Sequence, residues 1–235
     1  MIEIVNLKKQ FGKAVVLDNI NLSIGVGKVT AIVGPNGSGK TTMIKSVLGL
    51  VKPTEGTIEV DGSKTEGDYL YRKKIGYMPQ IARYPENLTA NELLSLIKDL
   101  REPENFNDGE ILSSFKLSSE MEKPFKSLSG GTKQKVSALI AFAFDPKILI
   151  LDEPTAGLDP ISSSYFKDLV LEEKQKGKTI ILTSHIMSEI QELADEIIFL
   201  LDGEVRFKGS LEELLKHKNE TTLERAIAEL MNQEV

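Results

Sequence analysis

“GPNGSGKTT”, residues 34–42, follows “KVTAIV”, a run rich in β-branched residues, and leads into “TTMIKSVLGLV”, where Ile44, Val47, Leu48 and Val51 recur at helical spacing. A strand, a glycine-rich turn and an amphipathic helix are therefore predicted in succession. Gly34, Gly39, Lys40 and Thr41 stand at the fixed positions of the P-loop pattern, and the flanking strand and helix are the context that pattern requires. In such a loop the backbone through Gly34, Pro35, Asn36, Gly37, Ser38 and Gly39 turns N–H groups inward onto phosphate oxygens, and the helix beginning near Lys40, Thr41 and Thr42 adds its positive end. The Lys40 ammonium suits the β- and γ-phosphates, and the Thr41 hydroxyl suits Mg²⁺.

“ILILDEPTAGLDP” puts Asp152 at the carboxyl end of an apolar run of the kind buried on both faces of a parallel sheet, where open α/β sheets bind ligands. A carboxylate there can hold the shell of a Mg²⁺ ion, and the adjacent Glu153 is available to orient or deprotonate an attacking water. Pro154 ends the strand, so the adjacent acids need not alternate strictly between faces. “TIILTSH” ends a second such run with His185. A lone histidine is more often structural, but its place at a strand's carboxyl end beside phosphate motifs favours a functional reading. “SSYFKDLVLEEKQKG”, between these runs, reads as the helix of a βαβ unit. Gln80, after the strand-like “KIGYM”, carries no chemistry by itself, and His217 falls in a charged tail.

The chain has 235 residues, 40% hydrophobic and 27% charged, enough for one domain with lobes and a substantial core. A net charge of -6 argues against a nucleic-acid partner, which clustered Lys and Arg would have to hold. There are no cysteines, so disulfides and thiolate metal sites are excluded. Apolar runs such as “ALIAFAF” fall well short of the roughly 20 residues that span a bilayer, and “MIEIVNLKKQF” alternates like a strand rather than a signal peptide. A cytoplasmic protein is expected.

“IEIVNL” and “VVLDNINLSI” predict antiparallel strands, and “GTIEVDG” a further short one. “LTANELLSLIKDLR” opens with a capping-box pattern, Thr89 and Glu92, and with “GEILSSFKL” marks a helical lobe over about 82–130. “EIIFLLDGEVRFKG” reads as a hairpin turned at Asp202-Gly203, followed by a helical tail over about 210–235. “SLSGGTKQKVS”, residues 127–137, begins a helix with Ser129, Gly130 and Gly131 and then sets Lys133 and Lys135 in its first turn, against a macrodipole whose amino end prefers anions. Either the lysines are solvated or something negative comes to that end. Val136, Leu139, Ile140 and Ala143 are expected on one face of this helix.

Taken in order, “GPNGSGKTT”, “MPQ”, “LSGGT”, “ILILDEP”, “GLD” and “TSH” resemble the Walker A, Q-loop, signature, Walker B, D-loop and H-loop of the nucleotide-binding subunits of ATP-binding-cassette (ABC) transporters. The resemblance runs over nearly the whole chain. It implies an α/β P-loop NTPase of ABC type, residues 1–235 forming a single ABC ATPase domain. Such a domain has a mixed central sheet, an N-terminal antiparallel β-subdomain and an inserted helical subdomain. It also implies hydrolysis of ATP with Mg²⁺: Glu153 resembles the catalytic base, His185 the γ-phosphate contact, and Gln80 the residue touching the metal and the water. Thr41, Gln80 and Asp152 would then surround Mg²⁺. Phe11 resembles the aromatic that stacks on adenine, usually a tyrosine in this family.

Within the same resemblance, Ser129, Gly130 and Gly131 would grip the γ-phosphate held by the Walker A of a facing copy, and Asp159 would help pair the copies into an ATP-dependent homodimer. Lys133 and Lys135 would then sit beside an incoming anion. A separate transmembrane permease is implied, reached through “QIARYPENL” with Tyr84, which would make the chain peripheral on the inner face of the cell membrane. Thr132 departs from the family, which usually has glutamine there. “LSGGTKQKVSALIAFAFDPKILILDEPTAGLDP”, “TSHIMSE” and “ERAIAELM” are similar to the ATPase subunit of the transporter that helps mature the copper centres of nitrous-oxide reductase, which implies a periplasmic maturation factor and export of a sulfur species. Drug and lipid exporters share most of these motifs. Soluble ABC ATPases that work on DNA or ribosomes usually carry tandem cassettes or coiled-coil insertions, which this chain lacks. With no Cys and only two, separated His, the chain offers no copper site of its own.

Overall fold

The computed structural model describes residues 1–67, 69–103 and 105–232. Alternating hydropathy at the amino end builds a hairpin. β1 (Ile2–Phe11) and β2 (Ala14–Ile24) pair antiparallel, Ile2 opposite Ile24 and Phe11 opposite Ala14. β3 (Val29–Val33) then leads through the glycine-rich loop into α1 (Lys40–Val47). β4 (Glu55–Val60) returns beside β1, and a turn at Asp61-Gly62, both at positive φ, adds the short β5 (Ser63–Lys64). The resulting antiparallel sheet has the order β2-β1-β4-β5.

β6 (Ile75–Met78) precedes the helical lobe, which comprises α2 (Ala90–Arg101), α3 (Gly109–Ser114) and the approach to α4 (Gly130–Phe142). α2 starts on the predicted capping box: the Thr89 hydroxyl accepts from the Glu92 N–H, and the Glu92 carboxylate accepts from the Thr89 N–H. Next come β7 (Ile148–Asp152), α5 (Pro160–Gln175), β8 (Thr179–Thr183), α6 (Met187–Leu193), β9 (Glu196–Leu201), β10 (Glu204–Gly209), α7 (Leu211–Lys218) and α8 (Leu223–Asn232). Residues 233–235 of the expected tail lie outside the described residues.

The central sheet has the order β10-β9-β3-β8-β7-β6, parallel except for the hairpin strand β10. That hairpin turns at Asp202 and Gly203, φ 47° and 79°, the left-handed pair a two-residue turn needs. Every residue of β3, β7 and β8 is buried, which explains their uninterrupted apolar runs. Alternate residues feed different cores. Ala31, Leu149, Leu151 and Ile180 pack with Val136, Leu139 and Phe166, whereas Ile32, Ile148, Ile150 and Ile181 pack with Met43 and Ile44 of α1 and with Ile2, Leu17 and Val60 of the first sheet. The sheet register also gathers the strand ends: Met78 lies opposite Leu151, and Thr183 opposite both Asp152 and Ile32. The loops after β3, β6, β7 and β8 therefore leave the sheet together.

Helix limits correct several expectations. α1 stops at Val47 with Leu48 as its cap, and Gly49 takes φ 66°, so Val51 lies outside the helical face predicted for it. α4 buries Gln134 and everything from Val136 to Phe142, so it is enclosed all round instead of carrying one apolar face, and Ala143 is its cap. α5 begins earlier than the sequence reading placed it, because Asp159 caps it and Pro160 occupies its first turn.

Candidate functional site

Close approach explains the glycines that shape the loop after β3. A Cβ on Gly34 would lie 2.0 Å from the Leu200 carbonyl oxygen, and Gly39 combines φ 105° with Leu17 and Val16 at 2.7 and 2.8 Å from where its Cβ would be. Within the loop the buried Lys40 ammonium donates to the carbonyls of Gly34 and Pro35 at 2.7 and 2.9 Å. Burial lowers its pKa, opposed by the nearby charges of Glu153 and Asp152. Ser38 Oγ is buried without a hydrogen-bond partner among the described residues, and Ser38 is not among the lining residues of the cavity described next.

Asn36, Gly37, Gly39, Lys40, Thr41 and Thr42 line a cavity of about 330 Å³ together with Val16, Gln80, Asp152 and Glu153. Asp152 ends β7 at 3% exposure. Its Oδ1 accepts from Thr183 Oγ1 at 2.6 Å. Burial raises its pKa, as does Glu153, against the Thr183 bond and Lys40. Glu153 departs from strand geometry at φ 48°, and its N–H donates to the Thr183 carbonyl at 3.1 Å and to Thr183 Oγ1 at 3.0 Å. Its carboxylate reaches His185 Nε2 at 2.6 Å and accepts from Gln80 Nε2 at 2.8 Å. Gln80, Glu153 and His185, far apart in the chain, thus meet at the Glu153 carboxylate; Gln80 and Glu153 line the cavity and His185 does not. The Thr41 hydroxyl, the Asp152 carboxylate and the Gln80 amide oxygen are hard donors of the kind Mg²⁺ takes, with room for phosphate oxygens to complete the set.

Other predicted residues fall elsewhere. Phe11 is on the surface, 49% exposed, with Lys9 Nζ 4.5 Å from its ring centroid; Val16 of β2, not Phe11, lines the cavity. Ser129 caps α4 by accepting from the Thr132 N–H at 3.1 Å, and its hydroxyl lies 2.8 Å from Thr132 Oγ1. Ser129, Gly130 and Gly131 are not among the lining residues of the cavity. α4 starts at Gly130, so of the two lysines expected in its first turn Lys133 closes that turn and Lys135 lies in the second. Both have partners in their own chain, Lys135 Nζ lying 3.0 Å from Asp159 Oδ2 and Lys133 Nζ 5.4 Å from the Phe125 ring centroid. Asp159 also bonds the Ser162 hydroxyl and N–H, and these bonds, with Lys135, hold its carboxyl well below the usual range. The macrodipole conflict is thereby relieved internally for Lys135, without an incoming anion. Tyr84 is half-buried in its loop: its ring packs edge-on against Phe125 at 5.2 Å and its hydroxyl lies 3.3 Å from Ser137 Oγ. Ile81, 62% exposed, is the apolar residue that loop presents.

Thr183, Gln134 and Glu189 escaped the sequence reading. Gln134 Nε2 donates to the Pro154 carbonyl at 3.2 Å, tying α4 to the loop after Glu153. A threonine in register with the acid at the end of the neighbouring strand was the available signal for Thr183.

The profile described as “ABC transporter” matches residues 17–156. The lantibiotic transport ATP-binding protein SrtF of Streptococcus pyogenes is 37% identical over 224 residues, covering 93% of this chain and 97% of its own. The bacitracin transport ATP-binding protein BcrA of Enterococcus faecalis is 35% identical over 225 residues, covering 94% of this chain and 73% of its own. Among solved structures, an ATP-binding subunit of an ABC transporter matches with a TM-score of 0.93 at 29% identity, over 99% of this chain and 100% of that one. A dimeric ATP-binding cassette in a post-hydrolysis state with ADP and Pi matches with a TM-score of 0.80 at 30% identity, over 90% and 99%. The fold is that of an α/β P-loop ATPase, and the chain belongs to the ABC transporter ATP-binding family. It binds ATP and hydrolyses it. No helix among the described residues is long and apolar enough to cross a membrane.

Proposed function

We propose that this chain pairs with a second copy around two molecules of Mg-ATP and that the closing and reopening of the pair drives a separate transmembrane permease at the inner face of the cell membrane. The observation that carries this reading is the division of the site: the cavity holding Lys40, Thr41, Gln80, Asp152 and Glu153 has no lining residue from Ser129, Gly130 or Gly131. A second copy supplies the phosphate those residues would bind, in a twofold arrangement that completes both sites at once. The dimeric cassette of the same fold supports it.

In the pair, Lys40 and the N–H groups of the loop hold the phosphates. Thr41, Asp152 and Gln80 are the residues to hold Mg²⁺, which would supply charge neutralisation between the β- and γ-phosphates. Glu153 takes the proton of the attacking water, whose oxygen bonds to the γ-phosphorus as the bond to the β–γ bridging oxygen breaks. His185 positions the γ-phosphate, and Phe11 offers an exposed ring face for adenine. ATP favours the closed pair because it binds it better than the open chains, and loss of the γ-phosphate removes the bridge.

Size-exclusion chromatography with light scattering on Glu153→Gln tests the reading. A dimer that forms only with Mg-ATP is expected, and a persistent monomer at saturating nucleotide overturns the pairing. For the cargo, the likeness to SrtF and BcrA supports antimicrobial-peptide transport, while the stretches around the signature and His185 support the narrower role in nitrous-oxide reductase maturation, with a periplasmic factor in the complex. Deleting the gene in its host separates them: raised sensitivity to the peptide supports the first, and loss of nitrous-oxide reduction the second.

A further inference from the structure

Glu189 takes no part in the machinery above, yet it bridges the loops that carry Glu153 and His185. It lies in the first turn of α6, 6% exposed, and accepts hydrogen bonds from Thr155 Oγ1 at 2.5 Å and Ser184 Oγ at 2.8 Å. Thr155 and Ser184 are themselves buried, at 7% and 6% exposure. The Ser184 oxygen also accepts from the Ile186 N–H at 3.0 Å, so its proton is committed to Glu189 while its lone pair serves the backbone. A carboxylate kept from water whose donors among the described residues are two neutral hydroxyls is costly, and stability alone would favour an apolar residue there.

What the arrangement supplies is spacing. Thr155 sits in the loop after Glu153, and Ser184 directly precedes His185. The register between β7 and β8 ends at Asp152 and Thr183, and the Glu153 N–H bond to the Thr183 carbonyl that follows it stops short of Thr155 and Ser184. Glu153, at φ 48°, turns out of the strand while its N–H still bonds Thr183. The Glu189 carboxylate is the cross-link that follows, one hydroxyl from each loop meeting on a single buried group.

We propose that Glu189 is a positioning residue for ATP hydrolysis, tying the loop that carries Glu153 to the loop that carries His185 and so setting the distance at which these side chains meet. The proposal rests on the roles given to Glu153 and His185 above. Glu189→Gln conserves volume but offers a single acceptor oxygen and an NH₂ that cannot accept, so one of the hydroxyls must turn away. Thr155→Val removes one donor with little change of shape, whereas Thr155→Ser retains it.

The experiment measures kcat and KM for Mg-ATP hydrolysis by the purified chain, nucleotide affinity by calorimetry, and the melting temperature, for these variants and for Glu153→Gln. Expected for Glu189→Gln and Thr155→Val is a fall in kcat of about 10–100-fold, the usual range for residues that orient those touching the reacting groups, with ATP affinity within about twofold of the parent. Thr155→Ser should restore kcat. A Glu189→Gln protein that turns over within about twofold of the parent overturns the proposal. So does a Thr155→Ser protein as slow as Thr155→Val, or a loss of ATP affinity and melting temperature that accounts for the lost rate, because each marks a purely structural role. Parental turnover in Glu153→Gln would instead overturn the assignment of Glu153 on which the proposal rests.

Discussion

Nε2 of His185 lies 2.6 Å from Oε1 of Glu153. Gln80 holds the other carboxylate oxygen, donating from Nε2 at 2.8 Å. The two residues proposed to meet phosphate and metal therefore both contact the proposed base, one on each carboxylate oxygen.

His185→Ala should accordingly leave Mg-ATP binding close to the parent while lowering turnover by about 100-fold or more, the scale for removing one donor to transition-state charge. Gln80→Ala should raise the Mg²⁺ concentration needed for half-maximal rate. Phosphate release measured across a Mg²⁺ titration reads both. Parental turnover in His185→Ala would remove it from the γ-phosphate.

Asp152 gives a pH-dependent prediction. Burial raises its native pKa above the unfolded value, so between the two values the native state binds more protons than the unfolded chain. The stability tied to this group is fully present below the ordinary carboxylate range and is lost as pH rises through the raised native value. Asp152→Asn cannot ionise and keeps an acceptor for Thr183. It should melt higher than the parent at neutral pH without ligand, the gain vanishing at acid pH, while hydrolysis drops by about 100-fold or more. Thermal melts across pH, read beside phosphate release, check both halves; an unchanged or lower melting temperature at pH 7 contradicts the desolvation argument.

The layers of this fold were readable because burial leaves a periodic mark: “ILIL” and “TIIL” are apolar at every position since β7 and β8 are covered on both faces. α4 left no such stripe, being enclosed all round, and the end of α1 was missed because only Gly49 signals it. The identities of Gln80, Glu153 and His185 were visible through motif order, but their meeting was not. It depends on β6, β7 and β8 being neighbours in the sheet and on the positive φ of Glu153, neither of which spacing records. The packing of Tyr84 was hidden for a related reason: an aromatic residue in a polar loop looks exposed until the partner, here Phe125, is placed.

That packing changes which substitution probes the permease contact. Tyr84→Ala removes a packed ring and should cost about 2–3 kcal/mol in chemical denaturation, a folding defect and not a coupling defect. Ile81→Asp alters an exposed side chain of the same loop, so the isolated chain should keep its melting temperature and basal ATPase rate while losing stimulation by the permease. Full stimulation in Ile81→Asp would move the contact off this loop.

Thr132, the departure in the signature, has a distinct consequence at the proposed second-copy phosphate. The Ser129 oxygen already accepts the Thr132 N–H, and the Thr132 hydroxyl stands 2.8 Å away. A phosphate oxygen only accepts, so Ser129 must give it its proton, and Thr132 must then donate to the remaining lone pair of Ser129. The serine is left with nothing to offer except a proton aimed outward, and the chain of hydroxyls strengthens that bond. Thr132→Val keeps the backbone cap and the shape but breaks this relay. Losing a hydrogen bond of ordinary strength costs about 3–10-fold per site, and the pair has two such sites, so ATP-dependent dimerisation of Glu153→Gln should weaken by about 10–100-fold. Thr132→Ser should restore it, with the monomer's melting temperature nearly constant throughout. Sedimentation equilibrium in Mg-ATP measures the constant directly, and equal dimerisation of the valine and serine variants would show that Ser129 is oriented by its backbone cap alone.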